Sequence, residues 1–174
     1  MTIRAPRLHA DWEKVRVLAQ CRPESIQVLE TEGAPPFRYR FALAGRGIER
    51  FALTGPVFRD RHEVEVFLPT DYPMVEPDVW IRTPIAHPHV FPGGHVCLGA
   101  HQWNPGESLD LFLRRLRMIL VWDPRIINPS SPANMEAIRW ANQHPARLPF
   151  DTPEWPDEIA APPPPPRIRT WSDR

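Results

Sequence analysis

A chain of 174 residues is long enough for one domain that buries its own core without disulfides or metals. Its 21 Lys and Arg balance 21 Asp and Glu, so the formal charge is zero and nothing favours electrostatic capture of nucleic acid or an anionic membrane. Cys21 and Cys97 are the only cysteines, which argues against a disulfide framework, and the opening residues show no apolar run of a secretory signal, so a soluble, cytoplasmic protein is expected.

The first element is an amphipathic helix of about three turns, with Leu8, Trp12, Val15 and Ala19 on one face and Asp11, Glu13 and Arg16 on the other. Arg22-Pro23 ends it. Alternation then predicts strands over 25–30, 37–43 and 62–68, with Phe37, Tyr39, Phe41, Leu43, Val64, Val66 and Leu68 facing inward. Residues 48–53 continue or pair with the second of these, and 78–82 supply one more short strand. Gly- and Pro-containing turns join them into an antiparallel meander of about four strands with one wet face.

Beyond residue 107 the period becomes helical. Ser108 is placed to cap a long helix whose stripe runs through Leu109, Phe112, Leu113, Leu116, Ile119 and Leu120, with Arg114, Arg115 and Arg117 solvated around the other side. Asp123-Pro124 follows its end. Ser131-Pro132 reads as the cap and first position of a shorter helix running through Met135, Ile138 and Ala141 to His144-Pro145. The fold class is therefore α+β, with one domain over 1–148. Residues 149–174 form a proline-rich tail, extended or disordered, whose run Pro162–Pro166 favours polyproline II and offers itself to a partner's aromatic groove.

The densest chemistry lies between residues 87 and 105. His87-Pro88-His89 is followed eight residues later by Cys97-Leu98-Gly99 and then by Trp103-Asn104-Pro105. A thiol is the better nucleophile when ionised, and His87, His89, His95 and His101 surround Cys97 in sequence as possible sources of a nearby positive charge. Gly93-Gly94 and Gly99 argue for a surface loop over a buried, inert cysteine. The same histidines with Cys97 could alternatively hold zinc, but no carboxylate stands where a hydrolase of conjugates would need one.

Together with Phe67-Leu68-Pro69-Thr70-Asp71-Tyr72-Pro73, Pro77 and Asp123-Pro124, these motifs resemble the ubiquitin-conjugating enzyme family in order and spacing over roughly residues 8–145. The resemblance implies the ubiquitin-conjugating-enzyme fold and no cofactor or metal. It implies that Cys97 accepts a ubiquitin-like protein from an activating enzyme as a thioester and passes it to an amine of a target protein. On the same footing His89 stands where the family has an asparagine that supports the oxyanion, while His87, Pro88, Trp103 and Pro105 structure the loop. The aspartate that such enzymes place after the long helix has no counterpart in 125–132, so Asp123, Ser131, Asn128 or His101 is left to receive the acceptor. Met74 falls in a loop that often meets ligases, and Tyr72-Pro73 is a candidate cis peptide. A single lysine, Lys14, would limit self-modification, although arginine and proline richness also follows from a GC-rich coding sequence. His89, the missing carboxylate, the short N-terminal region and the arginine-rich composition resemble bacterial members found in antiphage defence operons. A non-catalytic module of the same fold, binding ubiquitin-like proteins, is the alternative.

Overall fold

The structure is a computed structural model, and it describes residues 3–98 and 103–150. Helix α1 (Arg4–Cys21) leads into a sheet of β1 (Ile26–Gly33), β2 (Pro36–Ala52), β3 (Gly55–Phe67) and β4 (Asp78–Ile81), followed by α2 (Leu109–Leu120), α3 (Met135–Gln143) and a 3-10 turn at Pro145–Arg147. The strands lie in the order β1-β2-β3-β4, every neighbouring pair antiparallel, as a meander requires. This is the expected α+β architecture of a helix, a four-stranded sheet and further helices.

Tyr39, Phe41, Leu43, Val64, Val66 and Val79 fill the inner face of the sheet, and α1 and α2 close over them with Leu8, Val15, Leu18, Phe112, Leu113 and Leu116. On the wet face charges pair across strands: Arg38 with Glu32 and Glu65, Arg40 with Glu30 and Glu63, and Arg82 with Glu65. The free edge, β1, carries a bulge between Val28 and Glu30. A smaller second core forms where the distal half of the β2–β3 hairpin meets α3: Ile48, Trp122, Ala137 and Ala141 are buried there, with Phe51 stacked on Trp140 at 4.9 Å.

Several expectations need correction. α1 spans 18 residues, five turns where three were expected, because the chain stays helical well ahead of Leu8. β2 and β3 are also longer than the alternation suggested: β2 runs unbroken through Gly45 and Gly47, with register shifts between Ala44 and Gly47 and between Ile48 and Arg50. Those shifts break a strict two-residue period, which hid the continuity. Gly47 is required because a Cβ there would stand 2.8 Å from the Leu120 carbonyl and 2.9 Å from the His62 ring, where the end of α2 rests on the strand. Arg117 is buried, its Nε donating to the Ala44 carbonyl at 3.1 Å.

The helix caps differ as well. Ser108 precedes α2, but its side chain makes no capping bond; the Leu109 N–H is met instead by Asp11 Oδ1 at 3.0 Å. α3 begins not at Ser131-Pro132 but after Asn134, whose Oδ1 accepts from the Ala137 N–H at 3.1 Å.

Candidate functional site

The chain reaches Cys97 through a short reversal built on β4. Ile81 donates to the Gly94 carbonyl at 2.8 Å and Val96 donates to the Val79 carbonyl at 2.9 Å, which lays residues 94–96 along the far edge of that strand. Gly94 has φ +87°, and a Cβ there would sit 2.4 Å from the Ile81 carbonyl oxygen, so only glycine lets the two backbones meet. The reversal closes with Phe91 donating to the His95 carbonyl at 2.9 Å and a bridge between Val90 and Val96. Cys97 then donates its N–H to the His89 carbonyl at 2.8 Å. The eight-residue spacing seen in the sequence is thus the length of this reversal.

Alternation along the paired segment decides what Cys97 can do. Val96 and Leu98 are buried, whereas Cys97 between them is partly exposed and free of any disulfide.

The His-Pro-His turn supports this segment from below. His87 is fully buried, its Nδ1 accepting from the His89 N–H at 3.0 Å, and its ring meets Trp122 edge-on at 4.9 Å. Burial, and then the neighbouring His89, hold its pKa well below 6.5, so the ring is neutral. Pro88 presents its carbonyl to the N–H groups of Ala133 and Asn134, at 2.7 and 3.1 Å. His89, only 2% exposed, accepts the Asn128 N–H on Nε2 at 2.8 Å. With Nε2 accepting, the proton of the neutral ring is on Nδ1. The turn therefore fastens the stretch from Asn128 to Asn134 beside the cysteine segment.

That stretch carries Ser131, which is exposed. Asp123, which precedes it, is 1% exposed and committed locally: its carboxylate accepts from the Arg125 N–H at 2.9 Å and pairs with the Arg125 guanidinium at 2.5 Å. Burial pushes its pKa up, but the hydrogen bonds and charge of Arg125 outweigh that and leave it below the ordinary value. It reaches this position through Trp122, whose φ of 57° is left-handed and turns the chain off the end of α2.

Behind the cysteine, Trp103 donates from Nε1 to the Pro73 carbonyl at 2.6 Å and packs against Tyr72 and Phe112. Tyr72-Pro73 is cis, as the sequence suggested. The Pro105 carbonyl accepts from Arg7 at 2.6 Å. His101 lies outside the described residues. Among the described residues, no three His, Cys, Asp or Glu side chains converge as metal ligands, and no helix is long and apolar enough to cross a membrane.

Sequence reasoning missed the polar hub under this region. Asp11 is 1% exposed, not solvated on the outer face of α1. Its carboxylate accepts from Tyr72 Oη at 2.6 Å, Arg7 Nε at 2.7 Å and the Leu109 N–H at 3.0 Å. The only signal in the sequence was the four-residue spacing from Arg7 to Asp11, which equally describes a solvent-exposed pair.

A family model described as ubiquitin-conjugating enzyme matches residues 54–150, more than half of the chain, with the His-Pro-His turn and Cys97 inside the match. The chain belongs to the ubiquitin-conjugating enzyme family. Among curated relatives, ubiquitin-conjugating enzyme E2 13 of Schizosaccharomyces pombe is 26% identical over 151 residues, covering 85% of this chain and 94% of that protein. Ubiquitin-conjugating enzyme E2 N of Macaca fascicularis is 35% identical over 81 residues, covering 45% of this chain and 51% of that protein. The partly exposed Cys97 and the buried turn beneath it both lie inside the stretch that matches the ubiquitin-conjugating enzyme model.

Proposed function

We propose that Cys97 carries a ubiquitin-like protein between an activating enzyme and a target. The Cys97 thiolate attacks the carbonyl of the activating enzyme's thioester, and the tetrahedral intermediate collapses with loss of that enzyme's thiolate. An amine, lysine first among them, then attacks the new thioester; Cys97 leaves as thiolate and the nitrogen gives up its proton. The observation that carries the reading is Cys97 itself, partly exposed between buried Val96 and Leu98 and backbone-paired to the His-Pro-His turn.

His89 has two duties in this scheme. Its Nε2 holds the loop at Asn128, and any hydrogen bond the ring gives to the developing oxyanion comes from Nδ1. The acceptor amine is received along the 125–134 stretch, where Ser131 and Asn128 offer polar groups and Asp123 is already engaged by Arg125; His101 is the remaining base from the sequence reading. Trp103 and Pro105 shield the thioester from water by keeping their segment closed, Trp103 on the cis-proline loop and Pro105 on α1. Met74, 65% exposed, lines a shallow depression with Ile3, Arg4 and Asp71 that suits a ligase or activating enzyme.

His89 and the carboxylate-free stretch 125–132 support a place in a bacterial, cytoplasmic conjugation pathway tied to antiphage defence, and the proline-rich residues 149–174 support an additional docking partner. Genes neighbouring this one, encoding a ubiquitin-like protein and its activator, would be the matching sign. The direct test mixes the full chain with such an activating enzyme, ATP and the ubiquitin-like protein. A reductant-sensitive adduct that disappears in Cys97→Ala is expected; no adduct with any cognate set would overturn the reading in favour of a binding module.

A further inference from the structure

Of the 21 basic side chains in this protein 20 are arginine, and Lys14 is the one lysine. The two residue types differ in a respect that matters beside a thioester. A guanidinium stays protonated and is no nucleophile, whereas an ε-amine that loses its proton attacks an acyl carbon. Lys14 is exposed on α1, which packs on β1, β2 and α2. Cys97 follows the segment laid along the outer edge of β4, three to four strand spacings from β2 and β1, or roughly 14–19 Å. The only ε-amine of the chain thus lies across the sheet from the thiol.

Two arginines stand on the Cys97 side. Val96 is buried, so His95 and Cys97, which flank it, share the opposite face. His95 bridges to Trp80, with ring centres 5.1 Å apart. Arg82, just past the end of β4, places its guanidinium carbon 5.7 Å from the centre of the Trp80 ring and pairs with Glu65 at 2.7 Å. Arg125 lies on the other flank, paired with Asp123. Three residues after it the Asn128 N–H bonds to the His89 ring, and the His89 carbonyl accepts the Cys97 N–H. Both side chains are about half exposed, Arg82 47% and Arg125 54%, so neither is walled off from a group held at the surface.

We propose that arginine at these two places is a specificity device for the transfer reaction: Arg82 and Arg125 supply charge beside Cys97 without an amine, so the acyl group passes outward and not onto the chain that carries it. The inference rests on Cys97 carrying an acyl group. A lysine at either place would attack the thioester carbonyl. The C–S bond breaks, Cys97 leaves as thiolate, an amide forms and the proton of the nitrogen passes to water. A compositional preference for arginine gives the same count with no dependence on place, and an introduced lysine would then be acylated alike near β4, near Asn128 or on α1.

The test uses the full chain carrying Cys21→Ser, so that Cys97 is the sole thiol. A short peptide ending in glycine, supplied as its mercaptoethanesulfonate thioester, loads Cys97 by thiol exchange with release of mercaptoethanesulfonate. Once excess peptide is removed, intact mass and peptide mapping follow the acyl group; added thiol strips a thioester and leaves an amide. In the parent the group should leave by hydrolysis, with little on Lys14. Arg82→Lys and Arg125→Lys keep the charge and its carboxylate partner, and each should collect at least roughly tenfold more peptide at the introduced lysine than Lys14 collects. Arg16→Lys, exposed on α1, should behave as the parent, and Cys97→Ala should abolish the amide product throughout. An introduced lysine at either place that takes no more peptide than Lys14 would overturn the proposal while leaving Cys97 a loaded carrier. Failure of Cys97 to load at all would overturn the carrier reading and this inference together.

Discussion

Asp11 shows how one side chain can join distant parts of a chain. It is buried, it accepts from three different donors, and one of them is the first backbone N–H of α2. Removing it would leave the Arg7 charge without its main partner and the start of α2 uncapped. Arg7 is partly exposed and keeps other acceptors, so the cost is that of a lost charge-assisted hydrogen bond, about 1.5–3 kcal/mol. Urea unfolding of Asp11→Ala is expected to show a loss of that order, whereas Glu13→Ala, whose exposed pair with Arg16 is worth about 0–1 kcal/mol, should leave the midpoint nearly unchanged. The sequence could not separate these two carboxylates. Both lie off the apolar stripe of α1, and only the arrival of Tyr72 and Leu109 makes one of them interior. The partial exposure of Cys97 was legible for the opposite reason: the glycines around it, Gly93-Gly94 and Gly99, are a local signal of a surface loop.

Among the elements, the reversal from His89 to Cys97 tolerates little change at Gly94. Gly94 combines a left-handed φ with backbone 2.4 Å from where a Cβ would stand, so Gly94→Ala must push residues 94–96 off β4. Strain of this kind costs about 1–3 kcal/mol. We expect that loss by thermal unfolding, together with faster amide exchange at Val96 and Cys97, whose N–H groups bond to Val79 and His89. The helices and the inward faces of the strands followed from periodicity because one face of each is buried. The full length of the β2–β3 hairpin did not, since its register shifts disrupt the period at the very places where α2 and α3 lean on it. The start of α3 was misplaced because Ser131-Pro132 and Asn134 both satisfy the local rules for a cap. What selects Asn134 is long-range: the Ala133 and Asn134 N–H groups are drawn to the Pro88 carbonyl, fixing the chain there before the helix begins.

At the scale of the whole molecule, two fully buried imidazoles link stability to pH. Burial lowers His62 from 6.5 to about 4, with the Arg59 charge adding to the fall, and His87 is also held well below 6.5. An unfolded chain takes up protons at these positions as pH falls through 6.5, whereas the folded chain takes one up at His62 only near 4. The contribution of neutral His62 is therefore complete above about pH 6.5 and is lost as pH falls toward 4, amounting to roughly 3 kcal/mol. Denaturant midpoints measured from pH 7.5 down to 4.5 should decline across this interval, and more gently in His62→Gln. A flat profile would mean that folding does not keep these rings neutral. His62 belongs to the sheet and His87 to the turn below Cys97, so acid should loosen both halves of the molecule together.

The bulge at Leu29 has a bearing on how copies of this protein coexist when crowded. β1 is the sheet's open margin, and a regular row of unpaired backbone groups there would invite a second chain to add itself as another strand. The extra residue interrupts that row and turns the strand away from a flat edge. Self-templated growth is thereby discouraged by the same strand that completes the sheet.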